Sequence, residues 1–146
     1  MAIIDSQNVF MDGPVRASGV SRVVALPSLT LPGRMEAMPL RVSVTEAYAA
    51  AELATLTLTL QQADSDSATA WAAVPGATCT LTAADLTAGA RLPWRFLPEG
   101  VSKNFLRFSY TVTTQEDANV TKGALFAALT REEDFPYVPA QRVGGR

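Results

Sequence analysis

Alternation of apolar and polar residues along two stretches of the chain predicts β-strands. In residues 54–61 three leucines alternate with threonines: Leu56, Leu58 and Leu60. In residues 105–113 one set of alternate positions is mainly apolar, namely Leu106, Phe108, Tyr110 and Val112, and the other carries Phe105, Arg107, Ser109, Thr111 and Thr113. Successive side chains of a strand point to opposite faces of its sheet. We therefore expect the leucines and the first set on the core side and the threonines towards solvent.

Five weaker segments of strand character lie between turn-forming residues: 21–25, 40–45, 78–82, 91–97 and 124–130. The breaks between them carry Pro, Gly, Asp and Asn, which favour turns. One or two helical turns are expected within 45–54 and a single turn within 82–86. Seven or eight short strands joined by such turns predict an all-β fold, a β-sandwich with the jelly roll as its expected topology.

The chain of 146 residues has the length of one domain. We expect a sandwich over residues 13–130, an N-terminal arm over 1–12 and an extended C-terminal arm over 131–146. Both arms hold apolar side chains that are unfavourable in water, so we expect them to lie against partner chains. The candidate partner-interface residues are these side chains together with one tryptophan that follows a polar turn: Ile3, Ile4, Val9, Phe10, Trp71, Phe135, Tyr137 and Val138.

The amino-acid composition limits the chemical functions that the chain can perform. The chain has no histidine, one cysteine and a formal net charge of −2. The commonest general base and metal ligand is therefore missing, and an intrachain disulfide is impossible. No basic footprint for nucleic acid, no membrane-spanning apolar run and no export signal are found. We expect a protein without enzymatic activity, metal or cofactor, and without nucleic-acid or membrane partners.

Three local patterns contain residue types that could support binding or catalysis. Asp64-Ser65-Asp66 resembles part of a calcium loop but has no downstream acidic ligand, so a polar hairpin turn is the preferred interpretation. Cys79 lies in an alternating segment without a nearby cation and is expected to be a buried, unreactive thiol. Trp71 with Gln61, Gln62, Asp64 and Asp66 leaves a carbohydrate-binding module open, and the acidic residues leave a carboxylate-pair hydrolase open.

Five segments in this order and spacing resemble the small jelly-roll cement, or decoration, proteins of tailed bacteriophages. They are 4–12 (IDSQNVFMD), 58–66 (LTLQQADSD), 81–91 (LTAADLTAGAR), 103–112 (KNFLRFSYTV) and 121–127 (TKGALFA). Together they span nearly the whole chain. None is a catalytic signature.

The resemblance implies a structural protein of the virion that is made in the host cytoplasm. Such a protein binds the outer surface of the expanded phage head, bridges major capsid protein subunits and stabilises the shell. It also implies self-association, with a homodimer expected and a trimer as the other possibility. A β-sandwich module of a phage tail or appendage that binds carbohydrate or protein is the alternative function.

Overall fold

The computed structural model describes residues 6–25 and 38–130. A 3-10 turn at Ser6–Asn8 precedes the strands, and no α-helix occurs in these two ranges. The strands, in chain order, are β1 (Val9–Pro14), β2 (Gly19–Val20), β3 (Val24–Ala25), β4 (Leu40–Glu46), β5 (Leu53–Ala63), β6 (Ala72–Leu81), β7 (Phe105–Thr114) and β8 (Ala124–Leu129).

Two antiparallel sheets pack into a β-sandwich, as the alternation predicts. One has three strands in the order β1-β8-β4. The other has five: β7 pairs with β5, β5 pairs with β6, and the short β2 and β3 both pair with β7. The chain changes sheet after β1, β3, β4 and β7. This repeated crossing between two sheets is compatible with a jelly roll.

The core lies between the sheets and contains most of the side chains that alternation assigned to it, whereas Tyr110 and Val112 pack against it and are half-buried. Leu56, Leu58, Leu60, Leu106 and Phe108 are at most 1% exposed. The ring of Phe108 makes an edge contact with Phe10 at 5.0 Å between centroids, and Trp94 lies 5.6 Å from Phe108. These aromatic contacts connect elements that are far apart in the sequence.

The prediction of a regular strand over 91–97 is wrong. The segment does run along the free edge of β4: Leu92 N–H donates to Val42 O at 2.8 Å, and Leu40 N–H donates to Arg95 O at 3.0 Å. Only isolated bridges form, at Arg91 and Phe96. Proline has no N–H to give to a ladder, and Pro93 interrupts this one.

Other boundaries also differ from the expectations. Of residues 21–25 only the last two form a strand, because Ser21 N–H still donates to Phe108 O of β7 but Arg22 N–H donates to Phe10 O of the other sheet, which interrupts the pairing with β7 between β2 and β3. Residues 9–12 of the predicted N-terminal arm belong to β1 and pair with β8. The expected helical segment at 45–54 is one hydrogen-bonded turn, in which Ala49 O accepts from Leu53 N–H at 3.0 Å.

A buried tyrosine fixes the loops at the end of the sandwich where β1 and β4 finish. The hydroxyl of Tyr48 donates to Val15 O at 2.6 Å, and Val15 N–H donates to Gly123 O at 3.2 Å. Burial raises the pKa of Tyr48 to about 12. Gly123 lies against the Tyr48 ring with a φ of 130°, so a side chain there would both overlap the ring and strain the backbone.

Two carboxylates hold the loop before β8. Glu46 Oε1 accepts from Gly123 N–H at 2.7 Å and from Arg16 Nη2 at 2.9 Å. Glu52 accepts from the hydroxyl and the backbone N–H of Thr121, at 2.6 and 2.9 Å. The hydrogen bonds from Gly123 and then Arg16 lower the pKa of Glu46, and those from Thr121 lower the pKa of Glu52.

Replacing Gly123 with alanine is expected to lower the free energy of unfolding by about 2–4 kcal/mol, because Tyr48 must shift and the backbone is strained. Chemical denaturation measures the loss. Gly89→Ala is the matched control, since Gly89 has a φ of 83° but open space around its Cβ position. Equal losses in the two variants would contradict the proposed overlap with Tyr48.

Acid is expected to weaken the attachment of the loop before β8. The folded-state pKa values of Glu46 and Glu52 lie below the ordinary value of 4.5, so their stabilisation is present above that pH and is lost as the pH falls through the folded values. The double variant Glu46→Gln, Glu52→Gln should therefore lose less stability between about pH 5 and pH 3 than the parent. Denaturant titrations measure this, with Glu116→Gln, an exposed carboxylate of the same region, as control.

Candidate functional site

The predicted interface residues fall into three groups. Ile3, Ile4, Phe135, Tyr137 and Val138 lie outside the described residues. Val9 is half-buried at the start of β1, and Phe10 is fully buried in the core. The prediction for Phe10 is therefore corrected: its ring packs on Phe108 and has no surface to offer a partner. Trp71 is half-buried and lies at the surface of the five-stranded sheet.

The outer face of the five-stranded sheet carries mainly hydroxyl groups along β5, β6 and β7. Because Leu106 and Phe108 point into the core, the intervening residues of β7 point outward, and the threonines of β5 lie beside them. Hydroxyl pairs join β5 to β6: Thr57 with Thr80 at 3.1 Å and Thr59 with Thr78 at 3.2 Å. These hydroxyl pairs explain why threonines occupy the outward positions of the alternating pattern in β5.

One end of this face is different, because it carries two aromatic residues and an arginine. The guanidinium of Arg107 stacks over the ring of Trp71, 4.3 Å from its centroid, and Arg107 Nε donates to Gln61 Oε1 at 2.9 Å. Phe105 shares the outward side of β7 and is half-buried. We call these four residues, Gln61, Trp71, Phe105 and Arg107, the Trp71 patch.

A bulge in β6 determines where Trp71 lies. Thr59 pairs with Thr78 and Gln61 pairs with Ala73, so four residues of β6 stand opposite one residue of β5. Pro75 and Gly76, the latter with a φ of 74°, lie in this insertion, which an edge strand tolerates. The tryptophan then reaches Arg107 across the sheet, and its ring is fixed because Trp71 Nε1 donates to Ala68 O at 2.9 Å.

The polar residues expected to surround Trp71 make contacts in different parts of the structure. Gln62 is 6% exposed, and its Oε1 accepts from the N–H groups of Ser102 and Lys103 at 2.8 and 3.2 Å. It therefore holds the loop before β7. Asp64 pairs with the ammonium of Lys103 at 3.3 Å, in the hairpin turn between β5 and β6. Of the expected set, Gln61 alone belongs to the Trp71 patch.

Arg107 is the only charged residue in the five strands of this sheet. The free cysteine, Cys79, is half-buried beneath the same sheet, and burial raises the pKa of its thiol to about 11. Within residues 6–25 and 38–130, no group of His, Cys, Asp and Glu is arranged to hold a metal ion. The same ranges contain no helix long and apolar enough to cross a membrane.

The sequence model of the family named Bbp16 matches residues 16–129. This match covers more than three quarters of the chain. The chain belongs to the Bbp16 family. Bbp16 is a phage-associated family name, which fits a phage protein. No curated protein matches this chain. The Bbp16 match runs from the loop after β1 to the last residue of β8 and includes the whole Trp71 patch.

Sequence reasoning selected Trp71 as an interface residue but missed its partner Arg107. A signal was present: Arg107 is the one charge in a strand whose other outward positions are Phe, Ser and Thr. What the sequence could not supply was the bulge in β6, which decides that Trp71 and Arg107 meet. The two residues are 36 positions apart in the chain.

The two neighbouring glutamines are expected to differ sharply in their structural importance. Gln62→Leu removes the acceptor of two part-buried hydrogen bonds, from the N–H groups of Ser102 and Lys103, and should cost about 1–3 kcal/mol of unfolding free energy. Gln61→Leu should cost less than about 1 kcal/mol, because Arg107 Nε can turn to water. Urea titrations of both variants measure the difference. Equal costs would contradict the role assigned to Gln62.

Proposed function

We propose that this protein is a capsid cement protein of a tailed phage. It binds the outer surface of the expanded head, bridges neighbouring major capsid protein subunits and stabilises the shell, without catalysing a reaction. The phage-associated family supports this proposal, as does the β-sandwich fold that the resemblance implies. In this proposal the protein is made in the host cytoplasm and ends in the virion.

The observation that carries the proposal is the Trp71 patch on a sheet face that elsewhere carries mainly hydroxyl groups. Tryptophan and arginine are the residue types that most often dominate binding energy at protein interfaces. Trp71 is fixed by its bond to Ala68, and Arg107 by Gln61, so ordering them on binding costs little entropy. A small fixed patch of this kind suits a protein that gains strength from many copies on a symmetric shell.

Self-association belongs to the same proposal. A homodimer would present two patches and bind two capsid subunits, and the second contact is then intramolecular. A trimer would extend the same advantage. Each single interface can therefore remain modest while the assembled shell is strongly reinforced.

Purified protein is expected to co-sediment saturably with expanded heads that lack it, at a fixed number of copies per capsid subunit, and not with unexpanded heads. Trp71→Ala should weaken this binding at least about tenfold, as the loss of an interface tryptophan does. Phe96→Ala is the matched control, because Phe96 is an aromatic residue 48% exposed beside the other sheet.

Absence of binding to either kind of head would contradict the cement function. Binding that survives Trp71→Ala but is lost with Phe96→Ala would contradict the assignment of the docking surface. Thermal unfolding of both variants checks that they remain folded.

A further inference from the structure

Arg107 carries a charge that nothing in the described residues balances. The strands of this sheet contain no acidic residue, and among the described residues the Arg107 side chain interacts with the neutral Gln61 and Trp71. Arg16 and Lys103, by contrast, have carboxylate partners, at 2.9 Å from Glu46 and 3.3 Å from Asp64. A half-buried guanidinium without a counter-charge is a place where an incoming anion gains energy.

The contacts of Arg107 leave its terminal nitrogens available. Gln61 takes the Nε–H and the Trp71 ring takes one face of the guanidinium plane. The two Nη groups remain as a fork of donors, which matches the two oxygens of a carboxylate. The plane is already oriented, so little side-chain entropy is lost when the fork is filled.

We propose that Arg107 is the receptor for a carboxylate side chain of the partner protein, with Trp71 and Phe105 packing on the apolar atoms beside it. This inference rests on the proposed function, in which that partner is the major capsid protein. It adds the chemistry of recognition: the docking site on the shell presents an Asp or Glu over the outer face of the five-stranded sheet.

Other ligands fit this patch less well. A nucleic acid brings a row of phosphates, whereas the strands of this sheet offer one cation. A sugar binds by stacking on an open aromatic face, and Arg107 covers one face of Trp71. A single carboxylate needs only one fork and apolar neighbours, which is what the patch holds.

Binding of variants to expanded heads tests the proposal. Arg107→Lys keeps the charge but removes the fork and the flat stacking surface, and its affinity should fall about 10- to 100-fold. Arg95→Lys, an exposed arginine beside the other sheet, should bind within about twofold of the parent. Thermal unfolding of Arg107→Lys should stay close to that of the parent, which separates recognition from folding.

A second experiment identifies the chemical group on the capsid that Arg107 binds. Heads whose surface carboxylates are blocked with a carbodiimide and ethanolamine should lose wild-type binding, whereas heads with acetylated lysines should keep it. If the wild type binds carboxylate-blocked heads as well as untreated heads, or if Arg107→Lys binds as tightly as the wild type, the carboxylate inference is overturned. The cement function is not contradicted by either result. Failure of the wild type to bind untreated heads would overturn both.

Discussion

The register in which β5 pairs with β7 decides which side chains the five-stranded sheet buries and which it presents. Leu58 stands opposite Tyr110, Leu60 opposite Phe108, and Gln61 opposite Arg107. A shift of one residue would move the leucines to solvent and the threonines into the core, so burial of the leucine stripe holds this register. The Trp71 patch exists because the same register places Gln61 beside Arg107.

Strands with a regular alternation could be predicted from the sequence, whereas irregular edges and tertiary contacts could not. Long alternating strands such as β5 carry their own signal, because each leucine and threonine repeats the same preference. The segment at 91–97 has a similar apolar content, but one proline turns it into an irregular edge. The alternation that points Leu60 to the core also points Gln62 inward and Gln61 outward. The partners of the two glutamines could not be predicted, because Ser102, Lys103 and Arg107 lie far from them in the chain.

The molecule distributes its charges unevenly between its surfaces. At the end where β1 and β4 finish, Glu46 and Glu52 are engaged in holding loops together, and their hydrogen bonds serve stability. The broad face of the five-stranded sheet carries hydroxyl groups that bond to one another and a single arginine that has no carboxylate partner among the described residues. Hydroxyl groups carry no charge, so most of this face does not repel a charged partner. Arg107 is the one position in these strands where charge can distinguish one partner from another.

We propose that the outer face of the five-stranded sheet is the surface that contacts the shell. Electron cryomicroscopy of expanded heads saturated with the protein tests it most directly, because the two faces of the sandwich are distinguishable by strand number. We predict density in which the five-stranded sheet faces the capsid, with Trp71 and Arg107 at the contact. Decorated heads in which the three-stranded sheet faces the capsid, with Trp71 pointing to solvent, would contradict this docking surface.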